Sequence, residues 1–279
     1  MTLKFVSFSS GSSGNCYLLT DGKHGILIDA GVSLRRLKKE LFLMGYGYDA
    51  FQVVLVTHDH LDHIRHLGSY CKHLKKPVYA TETLHMALAS HTFTKDWIAS
   101  CRQILPEDGP AILRLGSEMS AEECPKVTHF IVPHDATQTV GYFIEWHDKS
   151  FFLMTDAGRV TSEALTYAGR ADAVVFESNY DPGMLIGGPY THELKMRICQ
   201  GNGHLSNDEC ADAVRKFWHP GLRHIFLCHL SENNNTPALA FEASSAALRS
   251  IRVDEKTTAK DITNLQTLPR TTVSAIYSI

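Results

Sequence analysis

The chain has 279 residues, enough to bury a sizeable core, and its 44% hydrophobic and 20% charged residues are those of an ordinary globular protein rather than a disordered or fibrous one. No apolar run approaches the roughly 18 residues of a membrane span, and the opening MTLKFVSFSSGSSGNC lacks the basic, apolar and cleavage regions of an export signal, so no membrane partner is expected and a cytoplasmic location is the default. A net charge of −3 gives no global sign of a nucleic-acid-coating surface.

The first thirty residues read as short strands, LKFVSF, CYLLT and GILIDAG, joined by GSSGN and DGKHG, with a hairpin at the second connection. Ser33 is placed to cap a helix carrying Leu34, Leu37, Leu41 and Met44 at helical spacing. FQVVLVT then has the continuous β-branched character of a strand buried on both faces. Further strands are expected at KVTHFIV, VGYFIEW, FFLMT, AVVFES and HIFLC. Ser206 and Glu209 have the spacing of a capping box that opens a helix through Ala211, Val214 and Phe217. Thr236 and Pro237 have the cap and first-turn chemistry of another helix, running through Leu239, Phe241 and Leu248. The alternation predicts a mixed α/β protein, and the absence of a linker or repeat predicts one domain over 1–279. The basic clusters Arg35, Arg36, Lys38, Lys39 and Lys72, Lys75, Lys76 read as solvated helix faces.

Seven cysteines, an odd number with no C-x-x-C pair, indicate reduced thiols rather than a disulfide framework or zinc ribbon. The sixteen histidines matter more, because of where they fall. VVLVTHDHLDHI places His58, His60, Asp62 and His63 within six residues at the end of an apolar strand. Such a density on an anchored loop is not explained by packing. His58 and His60 can point one way from an extended turn while Asp62 and His63 enter the following helix, so one segment can serve two ions. His134 follows FIVP, Asp156 follows FFLMT and His229 follows IFLC, so three more strands end in side chains able to hold metal.

H-x-H-x-D-H followed by separate His, Asp and His resembles the metallo-β-lactamase superfamily. The resemblance implies a four-layer αββα sandwich with the metals at one edge of the two sheets. It also implies His58, His60 and His134 at one metal, Asp62, His63 and His229 at the other, and Asp156 between them. SSGSSGNCYLL, MTDAG, VVFESNYD, GNGHLSNDE and LCHLSENNNTPALA, spread over nearly the whole chain, are similar to the YycJ/WalJ-type branch. Where that branch carries ANHD or a close variant, this chain reads Ser178, Asn179, Tyr180, Asp181, and no role passes from the histidine to Tyr180. The stretch from Thr92 to Glu123 matches no recognised segment.

Two divalent ions about 3.5–4 Å apart can acidify a shared water and present hydroxide to a phosphodiester. Histidine with carboxylate ligation suits zinc, and manganese or iron is also accommodated. Asp62 is expected to orient the nucleophile as well as bind metal. His204, just before the capped helix, is the candidate proton donor, and the free amides of that helix end are a candidate phosphate site. Ser12 and Asn15, in a small-residue loop able to form an anion nest, are candidate substrate contacts with Asn179 and Lys195, and Asn15 has a structural role as its alternative. Arg197 is a further phosphate candidate. The branch implies a nuclease, more specifically an exonuclease, with DNA or RNA as substrate. Two alternatives remain open from sequence: a thioester or other carbonyl hydrolase on the same centre, and a regulatory binding protein that has kept the fold with little catalysis.

Overall fold

A computed structural model describes residues 2–279. Strands β1 (Lys4–Gly11), β2 (Gly14–Thr20) and β3 (Gly25–Ile28) form an antiparallel meander. Helix α1 (Leu34–Leu43) leads to β4 (Val53–Leu55), α2 (Leu61–Ile64) and α3 (Leu67–Leu74) to β5 (Val78–Ala80), and α4 (Glu82–Ser90) to β6 (Arg102–Ile104). β3 to β6 are mutually parallel. The second half repeats this plan. β7 (Ala111–Ile112), β8 (Lys126–Val132), β9 (Thr139–Trp146) and β10 (Lys149–Met154) are antiparallel. Across α5 (Ser162–Ala168), the chain continues into β11 (Ala173–Glu177), parallel to β10. After α6 (Pro182–Gly187), α7 (His192–Cys199) and α8 (Asn207–Phe217) comes β12 (His224–Cys228). α9 (Pro237–Ser250) and α10 (Ala259–Ile262) precede β13 (Asn264–Thr267), which extends the parallel run, and β14 (Tyr277–Ser278) returns to pair with β1. The strand orders are β14-β1-β2-β3-β4-β5-β6 and β13-β12-β11-β10-β9-β8-β7.

Alternation along the central strands explains the layers. On β10, Phe151 and Leu153 join the core shared with the first sheet, where Phe5 lies 5.2 Å from Phe151 and 4.8 Å from Phe226, ring centre to ring centre. Phe152 and Met154 point the other way, with Phe176 and Leu227, onto Ala164 of α5, Val214 and Phe217 of α8 and Leu248 of α9. Because both faces of β3, β4, β11 and β12 are covered, those strands read as unbroken apolar runs. The result is the expected αββα sandwich. The expected caps are present: Ser33 accepts from Arg36 N–H, Ser206 and Glu209 make a reciprocal capping box, and Thr236 accepts from Leu239 N–H with Pro237 in the first turn. The stretch 92–123 supplies β6 and β7, short strands that form one edge of the first sheet and one edge of the second.

Ser9 to Asn15 is not an open nest. Ser10 pairs with Asn15 and Gly11 with Gly14 in the ladder of β1 and β2, leaving only Ser12 and Ser13 as the turn, so the amides on either side are drawn into strand pairing. Beside this hairpin, Gly31 N–H donates to Asn15 O, and a Cβ at Gly31 would lie 1.9 Å from the carbonyl oxygen of Asp62. Backbone therefore meets backbone at this point, and the hairpin is locked to the His58–His63 segment. Gly31→Ala is expected to lower stability by about 1–3 kcal/mol, read as a lower denaturation midpoint; an unchanged midpoint would show that the two segments are not held this closely.

Candidate metal centre

Six strand ends deliver side chains to the same edge. Asp29 follows β3, Thr57 and His58 follow β4, His134 follows β8, Asp156 follows β10, Glu177 ends β11 and His229 follows β12. Asp29, Asp156 and His229 have φ of 62°, 54° and 53°. Non-glycine residues rarely occupy this left-handed region, and its use at three strand ends turns the side chains inward from the sheet edge at a local conformational cost.

The histidines and carboxylates form two adjoining groups, His58, His60 and His134 in one and Asp62, His63, Asp156 and His229 in the other, and Asp156 and His229 also belong to a third with Glu177 and His204; the donor atoms in each lie within 4.8 Å of one another. In the first group, the rings of His58, His60 and His134 are 4.8–5.3 Å apart, and His134 Nε2 lies 3.3 Å from His60 Nδ1. His134 Nδ1 donates to Gly203 O at 2.8 Å, which leaves Nε2 with its lone pair directed at the group. In the second, His63 Nε2 is 3.2 Å from Asp156 Oδ2 and 3.4 Å from Asp62 Oδ2, and His229 Nε2 is 3.5 Å from Asp62 Oδ2. Asp156 touches both groups, since its Oδ1 lies 3.9 Å from His134 Nε2 and 3.0 Å from His229 Nδ1.

Two buried atoms test whether a metal fits. His58 Nε2 and His229 Nε2 have no hydrogen-bond partner, an arrangement that buried polar atoms rarely tolerate. Each points among donors that a cation would satisfy. Protonation supports the same reading. Burial, reinforced by His63, pushes His58 well below its ordinary value and keeps it a neutral ligand. Burial opposes ionisation of Asp156, but His229 and His63 outweigh it and hold the carboxyl well below the carboxylate range. At Asp62 burial is likewise outweighed, by His63 and His229. For His63 burial lowers the pKa while Asp29, Asp62 and Asp156 raise it further, and the net direction is up. His229 is also raised, against burial, chiefly by Asp156.

Asp29 and Glu177 are buried partners that the sequence reading passed over. Asp29 Oδ2 accepts from His63 Nδ1 at 2.7 Å and from Thr57 Oγ1 at 2.8 Å, and its Oδ1 accepts from Thr57 N–H at 2.8 Å. This commits Nδ1 to the carboxylate, so that in the neutral ring Nε2 is the nitrogen turned to the donor group, as partners of metal-bound histidines arrange. Glu177 accepts from His204 Nδ1 at 2.8 Å, His229 Nδ1 at 3.2 Å and Ala157 N–H at 2.6 Å. The available signal was the same as for Asp156: GILID and AVVFE are apolar strands ending in a carboxylate.

A cavity of about 260 Å³ opens over the two groups, lined by Ser12, His60, Asp62, Asp156, Asn179 and His204 among others. Asn15 takes its structural alternative. It is fully buried, and its Nδ2 lies 3.0 Å from Asp62 Oδ2 and 2.8 Å from His63 Nε2, so it positions donors rather than meeting substrate. Asn179 lines the cavity and donates to His229 O at 2.7 Å. Lys195 does not line it: its Nζ donates to Ile186 O at 2.7 Å, because its place on α7 turns it from the face that carries Arg197. Arg197 lines the mouth, where its Nη2 is 2.5 Å from Asp135 Oδ2. The expected amide site at the start of α8 does not line the cavity, and two of that helix's first three amides are taken, Asn207 N–H by Tyr180 O and Glu209 N–H by Ser206 Oγ.

The beta-lactamase superfamily domain model matches residues 24–229. The chain belongs to this superfamily. Within it, the chain falls in the YycJ/WalJ branch: the exodeoxyribonuclease YycJ of Bacillus anthracis is 34% identical over 251 residues, covering 89% of this chain and 90% of that protein. Exodeoxyribonuclease WalJ of Streptococcus pneumoniae is 31% identical over 237 residues, 85% of each chain. Zinc-bound PqqB from Methylobacterium extorquens has the same fold, with a TM-score of 0.69 at 16% identity over 98% of this chain and 99% of that one. As a superfamily member carrying this donor set, the protein is a metal-dependent hydrolase. No helix among the described residues is long and apolar enough to cross a membrane.

Asp29→Asn is expected to weaken zinc binding about 10- to 100-fold by chelator competition, and wild-type affinity in the variant would remove Asp29 from the centre. Protons raised onto His63 and His229 must leave as metal enters, so zinc affinity should rise with pH through the neutral range. Calorimetry in buffers of different ionisation enthalpy reads this release directly, and a pH-independent affinity would contradict it.

Proposed function

We propose that the protein is a nuclease, in its finer form an exodeoxyribonuclease, that hydrolyses phosphodiester bonds with two divalent ions. The observation that carries this reading is the pair of donor groups joined through Asp156 at the floor of a cavity whose mouth holds a guanidinium. His58, His60 and His134 would hold one ion, and Asp62, His63 and His229 the other, with Asp156 between them; zinc suits the set, and manganese or iron is accommodated. Bound there, divalent ions would supply Lewis acidity that acidifies water and neutralises a phosphoryl oxygen. The names and 31–34% identity of the WalJ and YycJ relatives over most of the chain support the nucleic-acid substrate.

The chain's own groups divide the remaining work. Asp62, exposed on one side to the cavity, would orient the attacking water as well as hold metal. Arg197 at the mouth would move from Asp135 to a phosphate oxygen, in a pairing that the guanidinium fork favours. Ser12 and Asn179 line the same cavity as candidate polar contacts. His204 would protonate the leaving oxygen. Its Nδ1 is bound to Glu177, which leaves Nε2 for the cavity. Burial works against its charge, but Glu177 and Asp156 raise its pKa above the ordinary value, so the ring holds a proton to higher pH.

Metal-loaded protein should release nucleotides from the ends of labelled DNA and leave a thioester intact; cleavage of neither DNA nor RNA, whatever the end structure, would overturn the nuclease reading. Asp62→Asn should abolish the activity. His204→Ala should lower kcat by about 10²–10⁴-fold. Because the protonated ring is the working form and its pKa is raised, wild-type kcat should fall as pH rises through that raised value, and His204→Ala should lose this alkaline limb. A profile unchanged in the variant would assign the proton to another group.

A further inference from the structure

Helix α7 stands over the cavity with no buried residue of its own. A short helix of this kind draws little stability from propensity alone and normally rests on an apolar face. Its apolar face exists: Leu194 and Ile198 are four residues apart, share one side, and line the cavity with Tyr190 from the preceding turn. That side faces the space over the donor groups instead of a core. Leu194 is 37% exposed. The Tyr190 hydroxyl accepts from Asn233 Nδ2 at 3.0 Å, which ties the ring to the loop after β12.

The two walls differ in chemistry. One is His60, Asp62, Asp156 and His229, which would hold cations. The other is apolar and aromatic, with Arg197 at its edge. An occupant complementary to both carries an anion joined to a flat apolar group. About 260 Å³ lies just under the roughly 300–1,000 Å³ usual for ligand pockets, a space that suits one nucleotide rather than a run of them.

We infer that Tyr190, Leu194 and Ile198 form a nucleobase-binding wall that seats the terminal nucleotide of a strand, with its phosphate between Arg197 and the donor groups. The inference deepens the nuclease reading and rests on it for the identity of the ligand. It also gives a reason for end-directed cleavage, since the base of the last nucleotide closes the cavity.

The test uses zinc-loaded full-length protein and two readouts. By calorimetry, deoxyadenosine monophosphate should bind about 5- to 100-fold more tightly than deoxyribose 5-phosphate, the range expected for stacking one base, and the Tyr190→Ala/Leu194→Ala double variant should lose most of that difference. In cleavage assays, the rate ratio between oligonucleotides with an intact and an abasic terminal residue should fall in the same way. α7 buries nothing, so the variant is expected to fold, and a circular dichroism melt checks it. Equal binding of the two phosphates by the wild type, an undiminished preference in the variant, or an equal gain from n-butyl phosphate would overturn the base wall. A base-dependent affinity without cleavage of any oligonucleotide would leave the wall standing and overturn the nuclease reading.

Discussion

The hydrogen bond from His63 Nδ1 to Asp29, 2.7 Å long between two fully buried side chains, ties the metal motif to the first sheet. A buried carboxylate is costly unless it is fully bonded. Asp29 meets that condition by accepting from Thr57 N–H, Thr57 Oγ1 and His63 together. The strand end of β3, the strand end of β4 and the start of α2 are thereby drawn to one point. Gly31, with no room for a Cβ against Asp62, closes the same corner from the backbone side. Glu177 does the equivalent for the second sheet, gathering His204, His229 and Ala157 N–H around one carboxylate. Each sheet thus supplies one buried acid that orients histidines, and the donor groups lie between the two.

This arrangement explains why the site carries conformational cost. Asp29, Asp156 and His229 sit in left-handed backbone, and His58 Nε2 and His229 Nε2 lack partners. Neither feature stabilises the fold by itself. Both are accounted for if cations supply the missing coordination, because binding to the folded state alone stabilises it by mass action.

Much of the fold was legible because its central strands are buried on both faces. The runs VVL, AVVFE and HIFLC cannot be mistaken for amphipathic surface, and the Ser33, Ser206 and Thr236 caps mark where helices start. The seven proposed metal ligands were legible from strand ends and from the density at His58 to His63, and the structure brings all seven together. Less legible were features that depend on contacts distant in sequence. Asn15 reads as loop chemistry until β1 and β2 pair around it. Lys195 and Arg197 are two residues apart, and only the placement of α7 decides which faces the cavity. Residues 92–123 contribute two short edge strands, whose partners rather than their own periodicity define them.

The central claim is that two ions share this edge through Asp156. Anomalous diffraction from zinc-loaded crystals, collected across the zinc edge, tests it most directly. The account predicts two peaks per chain about 3.5–4 Å apart, one among His58, His60 and His134 and one among Asp62, His63 and His229, with Asp156 contacting both. A single peak, or peaks outside these groups, would contradict it.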